Sequence, residues 1–176
     1  MYVNMADTVE SILSDKNTLT KGRRLENFIA ELFSTIVGLE VLARDIKNDK
    51  LSQEIDISIW NDRSQDGFPF LEHIILVECK NWENKATASD IAWFDRKIKD
   101  GHKAFGIFVS AHGITGSKRN NTAAYDVLLS SYREGRTIVV LTLFEIKSLT
   151  SSRDLISIIK RKLCEMSLGR VEVKAY

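Results

Sequence analysis

Apolar residues recur along the chain with two periods, and the switching between them lays out the elements. Val9, Ile12 and Leu13 mark a short amphipathic helix near the start. After the turn-like stretch SDKNTLT, Leu25, Phe28, Ile29, Leu32, Phe33 and Ile36 return at helical spacing within TKGRRLENFIAELFSTIVG. That segment predicts a helix with Thr20 as its cap and Gly38 as its terminator. Three strand-like segments follow, LEVLARDI, QEIDISIW and HIILVECK, separated by polar stretches containing Gly and Asn. A Thr87-to-Asp90 capping box opens the helix ASDIAWFDRKIKD, which Gly101 closes. AFGIFVS then reads as a buried strand, AAYDVLLSSYREG as a helix ending at Gly135, TIVVLTL as another buried strand, and SRDLISIIKRKLCEM as a last amphipathic helix.

The order is αβββαβ followed by αβα. Strands that are apolar on both faces need cover on both, so the pattern predicts an α/β fold with a central mixed sheet flanked by helices. The expected organisation is a helical appendage over residues 1–19, a main body over 20–150, and a C-terminal helix and tail over 151–176 packed on the same domain. Length and composition agree with one folded unit: 176 residues, 44% of them apolar. The 25 Lys and Arg nearly balance 24 Asp and Glu, so a polyanionic partner has to be met by a local patch. Cys79 and Cys164 have no metal spacing, and a disulfide from within an apolar strand is not expected, which points to a reducing, cytoplasmic setting. No apolar run reaches the roughly 20 residues of a membrane span, so no membrane partner is expected.

The candidate chemistry gathers where the strands end. In IILVECKNW, residues alternate faces, so Leu76, Glu78 and Lys80 share one face and Val77 and Cys79 the other. In the preceding strand Ile55, Ile57 and Ile59 line one face, leaving Asp56, Ser58 and Trp60 opposite. If the two strands pair as a hairpin around NDRSQDGFPFLE, Asp56 lies beside Glu78, and two carboxylates converge with the Lys80 ammonium. Such a group persists only where its charges pair, bind a cation or stay wet. A structural ion pair at a sheet margin is the plain alternative. On the first long helix Glu26 falls next to Phe33, at the edge of the apolar stripe, and so can look toward the sheet; a first-turn Glu favoured by the helix dipole is its ordinary reading.

Glu26, then Asp56, then Glu78-Cys79-Lys80, in a helix-strand-strand-strand-helix-strand order, resembles the PD-(D/E)XK nuclease superfamily. The helical Glu and the downstream FGIFVSAHGIT with its Ala-rich helix are most similar to Mrr-type (type IV) restriction endonucleases, and more distantly to archaeal Holliday junction resolvases. The resemblance spans about residues 20 to 150. It departs from the superfamily pattern in having Ile55 where Pro is common and in the long excursion from Asp56 to Glu78. It implies a restriction-endonuclease-like core and metal-dependent hydrolysis of DNA phosphodiester bonds, in restriction, anti-phage defence or DNA processing. Asp56, Glu78 and the backbone carbonyl of Cys79 would be ligands of Mg²⁺, with Mn²⁺ substituting; hard oxygen donors suit these ions. Lys80 would orient the attacking water or neutralise phosphate, and Glu26 would act through a metal-bound water or a second ion. The competing class is a catalytically silent nucleic-acid-binding or assembly module of the same fold.

Other motifs carry less. GITGSKRN lacks the spacing of a phosphate-binding loop, so no nucleotide cofactor is expected. Ser117, Lys118 and Arg119 in that loop are candidates for contact with a nucleic-acid backbone, with a solvated loop as the equal reading. Ser110 and His112 lack a third partner for nucleophilic catalysis. Arg96, Lys97, Lys99 and Lys103 form either a phosphate-contacting stripe or, more plainly, a solvated helix face. Trp82 is a candidate for base stacking, and Trp93 is expected beside the sheet. Nothing in the chain resembles a separate target-reading domain, so recognition would come from loops, a homodimer or a partner subunit.

Overall fold

The computed structural model describes residues 4–15, 17–47, 54–81, 83–117, 119 and 122–175. In chain order the elements are α1 (Met5–Leu13), α2 (Thr18–Ser34), β1 (Leu39–Lys47), β2 (Glu54–Asn61), β3 (Ile74–Lys80), α3 (Ala88–Asp100), β4 (Phe105–Ser110), α4 (Ala124–Arg133), β5 (Thr137–Thr142), α5 (Leu143–Lys147) and α6 (Ser152–Ser167). Helix α2 starts earlier than expected. Its cap is Asn17, whose side chain accepts from the N–H groups of Leu19 and Thr20, because an Asx oxygen there reaches two first-turn donors, and Thr20 supplies one of those donors instead of the cap. The capping box of α3 forms as expected between Thr87 and Asp90.

The strands make one sheet in the order β1-β2-β3-β4-β5, antiparallel from β1 to β3 and parallel from β3 to β5. The direction changes for a chain-length reason: a loop suffices between β2 and β3, whereas the parallel pairs are each joined through a helix. Two apolar layers cover the sheet. Leu25, Phe28, Ile29 and Phe33 of α2 pack with α1, α5 and most of α6 over Ile57, Ile59, Ile75 and Val77. Ile91, Phe94 and Ile98 of α3 pack with Leu128 and Leu129 of α4 over Leu76, Phe108, Ile138 and Val140. Full burial of each such side chain contributes about 1.5–3 kcal/mol. With helices on both sides, every residue of β4 is buried. Gly106 sets how near α3 comes, since a Cβ there would stand 2.6 Å from Ile98 Cδ1 and 2.8 Å from Phe94 Cζ.

β2 and β3 pair in the register that faces Ile57 to Val77 and Ser58 to Leu76. Beyond that point the strands part. Ile55 does not stay with Ile57 and Ile59 but packs against the α3 side, as a twisting strand can once its neighbour no longer holds it. The long loop between β2 and β3 is anchored by Asn61, whose buried amide donates to the carbonyls of Phe68 (2.9 Å) and Glu72 (3.1 Å).

Candidate active site

The parting of β2 and β3 leaves the backbone N–H of Cys79 without a strand partner, and the Asp56 carboxylate takes it: Cys79 N donates to Asp56 Oδ2 at 2.6 Å. Asp56 thus stands where the sheet opens, fixed by the ladder bond it replaces. A cleft of about 610 Å³ runs beside it, lined by α2 through Lys21, Gly22 and Glu26, and by Asp56, Cys79, Lys80 and Asn81. Asn81 ties the two walls together, its Nδ2 donating to the Lys21 carbonyl at 2.9 Å.

The electrostatics follow from this crowding. The Asp56 carboxyl is pushed up from its ordinary 3.8 to about 7, first by burial, then by the negative charge of Glu78 and, less, of Glu26; the Cys79 N–H bond works the other way. Burial also drives the Cys79 thiol well above its usual range. Glu78 is buried behind the cleft wall. Its Oε2 accepts from Lys97 Nζ at 2.6 Å and its Oε1 lies 3.3 Å from Lys80 Nζ.

Lys97 corrects the expectation of a solvated stripe on α3. It lies on the same inward stripe as Phe94 and Ile98 and reaches Glu78 as a fully buried counter-charge. A 3.6-residue period counts a lysine as polar, and only the strand beneath shows that an anion waits there. Arg96 instead pairs with Asp100 and lies 5.7 Å from the centre of the Trp93 ring. Trp93, expected beside the sheet, is 44% exposed, because Ile91, Phe94 and Ile98 already fill the inward face.

Of the expected site residues, Glu26, Asp56 and Lys80 share the cleft, and Glu78 sits directly behind it. Among the described residues, no three His, Cys, Asp or Glu side chains surround a common point as a finished metal cage. The donor set nonetheless fits a hard divalent cation: it is all carboxylate oxygen, and burial together with the negative charge of Glu78, which raise Asp56, are what such an ion offsets. Ser117 and Arg119 do not line the cleft. The Ser117 N–H is held by Thr122 Oγ1 at 3.0 Å. Trp82 and Lys118 lie outside the described residues. Ser110 donates its hydroxyl to the Gly113 carbonyl at 2.7 Å and so serves the turn after β4.

A mixed sheet covered on both faces, with carboxylates and a lysine where its antiparallel and parallel halves meet, defines a restriction-endonuclease-like α/β domain. Residues 19–134, about two thirds of the chain, match the Mrr_cat family, described as restriction endonuclease, and the chain belongs to that family. Comparison with curated proteins finds no sequence match.

Proposed function

We propose that this nuclease-family domain is a metal-dependent endonuclease that hydrolyses DNA phosphodiester bonds, with Asp56, Glu78, Lys80 and Glu26 as its reacting set. The observation that carries the reading is the convergence of Glu26, Asp56 and Lys80 on one cleft, with the Asp56 carboxyl raised by burial and then by its acidic neighbours. Asp56 and Glu26 would hold Mg²⁺ or Mn²⁺, together with Glu78 and the Cys79 carbonyl. When bound, such an ion would supply a water of lowered pKa and stabilise charge developing at phosphorus. Asp56 keeps its orientation through the Cys79 N–H. Lys80, restrained by Glu78, presents its ammonium to a phosphate oxygen or to the attacking water. One such site cuts one strand, so double-strand cleavage calls for a homodimer or a partner subunit, which would also supply target recognition. Restriction, anti-phage defence and DNA processing are the roles this activity would serve.

One observation favours the second reading, a catalytically silent DNA-binding module: Glu78 is already neutralised by Lys97 and Lys80. Cleavage of supercoiled plasmid and of branched and single-stranded oligonucleotides decides between them. Wild type, Asp56→Ala and Lys80→Ala are compared with Mg²⁺, Mn²⁺ and EDTA. Metal-requiring nicking that both variants lose supports the enzyme. DNA binding without cleavage by the wild type, unaffected by Asp56→Ala, supports the module.

A further inference from the structure

The described residues contain three buried lysines, and two of them are explained by their partners: Lys97 lies 2.6 Å from Glu78, and Lys162 2.7 Å from Glu145. The third, Lys21 on the second turn of α2, is only 6% exposed and lines the cleft. Among the described residues no hydrogen bond or ion pair engages its ammonium. Asp15, on the same cleft, feels the Lys21 charge but makes its ion pair with Arg24 Nη1 at 3.1 Å. Among the described residues, Asn81 Oδ1 and Glu145 Oε1, and not Lys21 Nζ, are the buried side-chain atoms that lack a hydrogen bond, so the stem of Lys21 is buried while its ammonium stays within reach of the cleft, where an anion can meet it.

Gly22, the next residue, gives a separate sign. It sits in the body of a helix, where glycine is disfavoured against alanine, yet a Cβ placed on it would meet nothing within 4 Å. Gly106 is required by neighbouring side chains; Gly22 is required by nothing within the described residues. Its bare backbone opens on the same cleft, a position suited to close approach by a ligand. Gly22 and Glu26 are one turn apart, about 6 Å along the helix. Asn81 clamps the Lys21 carbonyl to the chain just past Lys80, so the spacing between the two ammonium-bearing segments is fixed.

We propose that Lys21 and Gly22 form a subsite for a backbone phosphate of the nucleic-acid strand, one step along from the phosphate held at Asp56 and Lys80. Lys21 supplies the charge, and Gly22 lets the sugar-phosphate chain lie against α2. The subsite rests on the nuclease reading for its neighbour but makes its own prediction about binding.

The test is fluorescence anisotropy with single-stranded and duplex oligonucleotides in EDTA, over a series of salt concentrations. Wild type is compared with Lys21→Met, Lys21→Arg and Gly22→Ala, with thermal melting of each. Lys21→Met is expected to weaken binding roughly three- to tenfold and to lower the salt slope by about one, while Lys21→Arg retains most of both. Gly22→Ala is expected to melt at a higher temperature and still bind more weakly, a combination that loss of folding cannot produce. Folded Lys21→Met and Gly22→Ala proteins with wild-type affinity and salt slope would overturn the subsite. So would a melting shift with inorganic phosphate that depends on Lys21 while DNA binding does not. Cleavage assays separate this from the nuclease reading: loss of binding in the variants with no cleavage by any form retains the subsite and removes the enzyme, and the reverse pattern removes only the subsite.

Discussion

At the scale of single residues, the decisive fact is that Asp56 and Glu78 are solved differently although two strands bring them together. Asp56 rises to about 7 through burial and then the like charge of Glu78; Glu78 is given Lys97. The Asp56 shift sets a pH dependence. A carboxyl whose folded pKa exceeds its unfolded 3.8 keeps a proton that the unfolded chain releases, so between about pH 4 and 7 its contribution to stability falls as pH rises. The slope is at most about 1.4 kcal/mol per pH unit. Melting in EDTA should therefore show wild type losing stability from about pH 5 to 7 and levelling above that, and Asp56→Asn losing less. For the buried pair, Lys97→Met should cost about 3–5 kcal/mol by urea denaturation, since it strips a buried carboxylate of its closer, buried counter-charge and leaves it the more distant Lys80. The double variant Glu78→Gln with Lys97→Met should recover much of that loss, and simple additivity would disprove the coupling.

At the scale of elements, the parting of β2 from β3 makes the cleft, and α3 reaches the same point from the other face of the sheet. How deeply α3 sits is controlled by Gly106. Gly106→Ala should push Phe94 and Ile98 outward, destabilise the fold by about 1–3 kcal/mol, and withdraw Lys97 from Glu78. Denaturation midpoints would measure the first effect. The second predicts that Lys97→Met costs less in the Gly106→Ala background than in wild type. The sequence displayed most of these elements because each carries its period and punctuation: α3 has its capping box and Gly101, and β4 its unbroken apolar run. It did not display α5, whose five residues continue directly from the β5 apolar run and are too few to show a helical period.

At the scale of the molecule, the segment after α6 returns across the sheet ends and is fastened there. Lys162 Nζ donates to the Glu172 carbonyl at 2.6 Å while pairing with Glu145, and Arg161 holds the Glu172 carboxylate at 2.8 Å. Thr142 donates its hydroxyl to the Lys174 carbonyl, and Val171 is buried. A Cβ on Gly113 would come within 2.8 Å of Ala175, so this segment also lies on the turn that follows β4. Removing residues 170–176 should lower stability by about 2–4 kcal/mol through the buried groups left unpaired. Hydrogen exchange should also speed up over residues 111–117; unchanged exchange there would show that the segment does not support that turn. No helix among the described residues is long and apolar enough to cross a membrane.

Periodicity and strand alternation, both local properties of the chain, were enough to determine the order of the elements other than α5, the mixed sheet and the neighbourhood of Asp56, Glu78 and Lys80 at a strand end. Long-range placement decided the rest. Lys97 reads as one more solvated charge until α3 is laid on β3, and Lys21 as one more helix-surface lysine until α2 closes over the cleft. A charged side chain has no period of its own that reveals its partner. What becomes of it depends on which distant segment folds against it, and that is settled only when burial removes water as the alternative partner.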